Sequence, residues 1–101
     1  MILVYVVCAN VDEAKRISRY LLEQRLAACT NMFPIESAYW WEGKIVEESE
    51  EVMIVKTVEA NFDKVKQAVL RLHSYKVPAV FSIPVEHVEE RYSKWLCGEV
   101  R

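Results

Sequence analysis

Two amphipathic segments, each leading from one β-branched run into another, constrain this chain more than any single motif does. The opening run, Ile2-Leu3-Val4-Tyr5-Val6-Val7-Cys8, reads as a buried strand. Asn10, with Glu13 three residues on, has the arrangement of a helix capping box. Ala14, Ile17, Leu21 and Leu22 then recur at helical spacing while Lys15, Arg16, Arg19 and Glu23 fall on other faces, which predicts a helix reaching Leu26. From Ala28 to Trp41 the β-formers Thr30, Phe33, Ile35, Tyr39 and Trp40 predict a long strand, with Pro34 marking a bulge or bend. Glu42-Gly43-Lys44 reads as a hairpin tip, because glycine tolerates the positive φ of a tight turn. The return limb is weak over Val46 to Ser49 and strong from Val52 to Thr57. Phe62, Val65, Val69 and Leu72 form the stripe of a second helix ending at or just after His73. Val77-Pro78 breaks it and leads into the strand Ala79 to Ile83, and Val88, Tyr92, Trp95 and Leu96 place a last helix.

The order is strand, helix, strand, strand, helix, strand, helix. Its first six elements predict an α+β fold, a ferredoxin-like split βαβ subunit with an antiparallel sheet and an extra C-terminal helix. The length of 101 residues predicts one domain spanning 1–101. One helical layer covers one sheet face. Strand alternation sends Trp40 to one face and Trp41 to the other, and so small a domain cannot bury aromatics on both. A homo-oligomer is the economical solution.

Charge and termini narrow the function. Thirteen basic against fifteen acidic side chains leave a net charge of −2, without the basic footprint of a nucleic-acid binder. The segment Glu51 to Thr57 also lacks the aromatic and basic motif that RNA-recognition sheets of this topology carry. The apolar N-terminal run stops at Asn10, short of the ~20 residues a membrane span requires. It has no basic region before it and no small-residue cleavage site after it, so a cytoplasmic location is expected. Cys8, Cys29 and Cys97 are odd in number, widely separated and without a Cys-x-x-Cys pair, which argues against a disulfide scaffold or a structural zinc site.

Cys8 ends the first strand and His73 ends the second helix, so the fold can bring a thiolate and an imidazole to one sheet edge, a donor pair suited to Cu(I) or Zn(II). The plainer readings are a space-filling thiol and a histidine capping the helix dipole. Cys29 reads as core and Cys97 as inert. The run Glu47-Glu48-Ser49-Glu50-Glu51 lacks EF-hand spacing and reads as a solvated hairpin limb. Lys56, among apolar neighbours, needs a partner, for which Glu50 or Glu51 is the candidate. No hydrolase elbow, P-loop, dinucleotide fingerprint or zinc-protease helix occurs, and enzymatic activity is not expected.

Five segments together resemble the CutA family of divalent-cation tolerance proteins, in order and across nearly the whole chain. They are Arg25-Leu26-Ala27-Ala28-Cys29-Thr30-Asn31, Tyr39-Trp40-Trp41-Glu42-Gly43-Lys44-Ile45, Glu50 through Lys56-Thr57, His73-Ser74-Tyr75-Lys76-Val77-Pro78, and Tyr92-Ser93-Lys94-Trp95-Leu96. The resemblance implies a tight homotrimer exchanging long strands across subunit edges, and a role in tolerance of divalent metals, copper above all. It implies an inter-subunit polar cluster of Tyr39, Trp41, Glu50, Lys56, His73 and Tyr75, and places Cys8 where some relatives carry a cysteine proposed as a copper ligand. Ser74 stands where the family commonly has proline, and Ala79 where many relatives have glutamate, which loosens the loop and removes a carboxylate. The reading taken forward is a metal-binding trimer with Cys8, His73 and Glu50 as ligands of copper or another divalent metal. Its rival is a P-II-like signalling or partner-anchoring trimer, in which Lys56, His73 and Tyr75 donate to a small anionic ligand in the cleft beside Tyr39 and Trp41, or which holds an unidentified protein partner.

Overall fold

The computed structural model describes residues 1–101. Its elements are β1 (Ile2–Cys8), α1 (Val11–Glu23), β2 (Cys29–Trp41), β3 (Lys44–Thr57), α2 (Phe62–Leu72), β4 (Val80–Pro84) and α3 (Glu90–Glu99), with one 3₁₀ turn at Glu59–Asn61 before α2. The four strands form one antiparallel sheet in the order β2-β3-β1-β4, the topology of the ferredoxin-like subunit. No helix is long and apolar enough to cross a membrane.

Strict alternation along β1 builds the core. Ile2, Val4, Val6 and Cys8 turn inward and meet Met53 and Val55 of β3, Ala14, Ile17 and Leu21 of α1, and Val65, Ala68 and Val69 of α2. Asn10 caps α1 by accepting from Glu13 N–H at 2.9 Å. That helix stops at Glu23, short of Leu26. Arg25 adopts φ 59°, and Leu26 N–H reaches back to Leu21 O at 3.0 Å, closing the helix without the glycine that usually occupies this position. Contacts remote in sequence hold it there: the Arg25 guanidinium pairs with Glu99 at 2.6 Å, and its carbonyl accepts from Arg101 N–H.

β3 runs unbroken through the acidic segment that reads as weak, because β2 pairs with it residue for residue from Cys29↔Lys56 to Trp41↔Lys44. Pro34 causes no bulge; β2 is an edge strand, where a missing N–H removes no ladder bond. Glu42 and Gly43 both have positive φ, 49° and 77°, the geometry of a two-residue hairpin loop that follows strand twist. Pairing of β1 with β3 ends at Cys8↔Glu51, so the β2–β3 hairpin continues alone and extends the molecule to 46 × 25 × 21 Å.

The opposite sheet face carries Leu3, Tyr5, Phe33, Ile54, Phe81 and Ile83, and Tyr5 stacks on Phe81 with centroids 4.9 Å apart. Phe33, Phe81 and Ile83 are exposed, and Trp40 is 72% exposed. α3 meets this face only near the end of β3. There Lys56 Nζ lies 3.3 Å from Tyr92 Oη and over the Tyr92 ring. The expected partners Glu50 and Glu51 do not reach Lys56, since they lie farther down the same strand. Cys29 is half-buried on this open face rather than in the core, and Val88 precedes α3 instead of joining its stripe.

Candidate functional site

The end of β1, the start of α1 and the end of α2 meet at one edge of the sheet. Cys8 is the last inward residue of β1 and is fully buried. Glu13 lies four residues before Ile17 and eight before Leu21, on the buried stripe of α1, and is 5% exposed. Its Oε1 accepts from Ala9 N–H and its Oε2 from Ser74 N–H, both at 2.9 Å. The His73 ring is fully enclosed. Nδ1 accepts from Tyr75 N–H at 2.9 Å, which places the ring proton on Nε2, donated to Val7 O at 2.7 Å. Nε2 stands 3.6 Å from Glu13 Oε1. Ligand atoms of Cys8, Glu13 and His73 all lie within 4.8 Å of one another.

Electrostatics follow from that enclosure. Burial, reinforced by the neighbouring Glu13 carboxylate, pushes the Cys8 thiol up to about 12. Burial also works against the charged form of Glu13, but the N–H groups of Ala9 and Ser74 outweigh it and hold the carboxyl below its usual range. His73 is the C-cap of α2, its N–H bonding Val69 O at 2.9 Å, and its ring also clamps β1 through Val7 O.

Thiolate, imidazole and carboxylate at this separation form a donor set suited to Zn(II) or Cu(I). A metal taking Nε2 must displace the proton given to Val7, and one taking Cys8 must displace the thiol proton. Cys8 and His73 thus come together, whereas Glu50 does not join them. Glu13 supplies the carboxylate; the capping-box motif accounted for it locally, and its place on the Ile17–Leu21 stripe was the signal of burial.

Glu50 belongs to a second site on the far side of Tyr75. Where β1 ends and the hairpin continues, a cleft of about 590 Å³ opens between β2, Glu50 of β3 and the loop after α2. Tyr39, Trp41, Glu50 and Tyr75 line it together, with Glu36 and Lys76. Tyr75 donates its hydroxyl to Glu50 Oε2 at 2.7 Å, and its ring lies 4.7 Å from that of His73. Tyr39 donates to Glu48. Burial and the Glu50 carboxylate push the Tyr75 hydroxyl well above its ordinary value, and the bond to Glu48 pushes Tyr39 up to about 12. The three donors expected for an anionic ligand do not converge: Lys56 is held by Tyr92, His73 is sealed in the buried cluster, and the Tyr75 hydroxyl is spent on Glu50. Lys76, from the His73–Pro78 segment, is the basic side chain at the cleft.

A ferredoxin-like subunit with a buried sulfur, nitrogen and oxygen cluster beside an aromatic cleft defines a class of small α+β proteins with metal-compatible donors. Within that class the chain matches the CutA1 divalent ion tolerance protein family over residues 2–99, and it belongs to that family. It is 45% identical over 96 residues to the divalent-cation tolerance protein CutA of Thermotoga maritima, covering 95% of both chains. The crystal structure of the CutA protein of Archaeoglobus fulgidus superposes with a TM-score of 0.98 at 41% identity, covering 100% of each chain. That relative is named a periplasmic protein, and a rice relative, 40% identical and matched over 57% of its length, is named chloroplastic. These relatives overturn the cytoplasmic expectation, which rested on the N-terminal run that forms β1 of the fold.

Proposed function

We propose that this chain is a divalent-cation tolerance protein that works as a homotrimer and takes up a soft or borderline metal ion, copper or zinc, at Cys8, Glu13 and His73. Relatives named for divalent-cation tolerance support the general role. The observation that carries the metal reading is the buried cluster itself, in which thiol, imidazole and carboxylate lie within 4.8 Å of one another. Bound there, the ion would serve as cargo held away from water, and no reaction on a substrate is invoked. The apolar face of Leu3, Phe33, Phe81 and Ile83, with Trp41 beyond it, supports assembly of like subunits, since a monomer leaving it bare invites association.

Competition titration of the reduced protein against a Cu(I) chelator, and separately a Zn(II) chelator, tests the metal reading. Binding should tighten as pH rises, because the metal competes with protons for sulfur and nitrogen. Cys8→Ser should weaken it at least about tenfold, a typical effect of altering a metal's surroundings. Equal affinity in wild type and Cys8→Ser would reject the cluster as the site. Sedimentation of the same samples tests the trimer.

A further inference from the structure

We propose that His73 reports metal loading to the loop after α2 by exchanging its tautomer: a ring that ligates through Nε2 carries its proton on Nδ1 and turns away the Tyr75 N–H that it holds when empty. The inference rests on the metal reading of Cys8, Glu13 and His73 and adds a conformational response to it.

The polarity of the two ring bonds carries the argument. A backbone N–H can only donate, so the 2.9 Å contact from Tyr75 N–H requires a bare Nδ1. The single ring proton is left on Nε2, which donates it to Val7 O at 2.7 Å. Nε2 is also the nitrogen on the Glu13 side, 3.6 Å from Oε1, in the cluster whose ligating atoms close to within 4.8 Å. The atom placed to ligate is therefore the atom that bears the proton. A neutral imidazole has one proton for two nitrogens, so ligation by Nε2 leaves Nδ1 as its only position. The ring stays neutral: one proton leaves Nε2 and one is taken up at Nδ1, both exchanged with water, while the Cys8 thiol proton is released.

Metal-ligating histidines ordinarily give their other ring N–H to a carboxylate, a carbonyl or water. Here that nitrogen meets a donor. Once Nδ1 bears hydrogen, two N–H groups face each other at 2.9 Å, and one must yield. The ring is fully enclosed and packs 4.7 Å from the Tyr75 ring, so it cannot swing clear. The backbone from Ser74 to Pro78 belongs to no helix or strand and is the softer side. Ser74 N–H stays on Glu13 Oε2 and the Tyr75 hydroxyl on Glu50, so the movement falls on the Ser74–Tyr75 peptide between them. Turning that peptide over offers the Ser74 carbonyl to Nδ1–H, the kind of acceptor a ligating histidine uses. Every group in the switch belongs to a single chain.

The test uses the full chain in its native assembly, reduced, with Zn(II) alone as probe and chelator competition as the measure of loading. Long-range proton–nitrogen correlation of the His73 ring should place the proton on Nε2 without zinc and on Nδ1 with it. Hydrogen exchange of the Tyr75 amide should rise at least about tenfold on loading, the order expected when a backbone N–H loses its acceptor. Cys8→Ser, at a zinc level that loads the wild type and leaves the variant empty, should keep the proton on Nε2. Zinc bound with the proton still on Nε2, or with Tyr75 exchange unchanged, would overturn the switch while the metal reading stands. Absence of zinc binding, or equal affinity in wild type and Cys8→Ser, would overturn both.

Discussion

In the buried cluster the carboxylate of Glu13 accepts two backbone N–H groups, whereas the carboxylate of Glu50, almost as enclosed, accepts a single tyrosine hydroxyl. The two acids are separated by Tyr75, whose amide bonds His73 and whose hydroxyl bonds Glu50. On the Glu13 side both carboxylate oxygens and both His73 ring nitrogens are bonded, and three chain segments are tied at one point. On the Glu50 side the bonding is incomplete and the site is open. The difference separates two uses of buried polarity: saturation locks a fold, and a carboxylate with one bond keeps capacity for a further partner.

Removing the clamp should have the largest effect. His73→Ala deprives Val7 O of its donor and Tyr75 N–H of its acceptor, and leaves a cavity beside Cys8. Two unpaired backbone groups plus a cavity predict a loss of about 3–4 kcal/mol. Urea unfolding at fixed protomer concentration measures it. A loss below about 1 kcal/mol, in the range of surface substitutions, would mean that the cluster does not lock the loop and that the contrast with the cleft is false.

Next comes the acid side. The Glu13 carboxyl lies lower in the folded chain than in the unfolded one, so the unfolded chain takes up the proton first as pH falls. Its stabilising contribution is therefore complete above the unfolded value near ~4.3 and drains away as pH drops through the lower folded value. Glu13→Gln removes this dependence. At neutral pH it should also cost about 1–3 kcal/mol, since one amide oxygen cannot serve both Ala9 and Ser74. Cys8 has the opposite sign: its thiol is raised to about 12. That contribution is complete below the unfolded value near ~8.5 and is lost as pH rises from there toward the folded one. Unfolding curves of wild type, Glu13→Gln and Cys8→Ala across pH should diverge at opposite ends of the scale. Parallel curves would show that neither group is as enclosed as its contacts imply.

The legible parts of this molecule were those with local causes. The Asn10 cap, the Glu42-Gly43 turn, the alternation of β1 and the stripes of α1 and α2 each depend on residues a few positions apart, and the element order followed from them. The end of α1 was not legible, because Arg25 is held left-handed by Glu99 and Arg101, distant in sequence. Lys56 illustrates the same limit: its partner is Tyr92 on α3, where the strand alone offered nearby acids. At the site, Cys8 and His73 were readable as element ends that could meet. Which carboxylate joined them depended on the depth at which α1 packs, and on the step that puts Glu50 beyond the end of β1.

Tyr75→Phe should have the smallest effect, and it probes the boundary between the two regions directly. The phenylalanine keeps the ring against His73 and the amide on Nδ1, so the buried cluster stays closed. Only the bond to Glu50 is lost, and water entering the cleft can replace it, which predicts a stability change of about 1 kcal/mol or less. His73→Ala and Tyr75→Phe should then be close to additive, since one acts through the amide side of Tyr75 and the other through its hydroxyl. A double-mutant cycle in urea checks this. A coupling energy above about 1 kcal/mol would join cluster and cleft into one cooperative network, so that a change at Glu50 would be felt at Cys8 and Glu13.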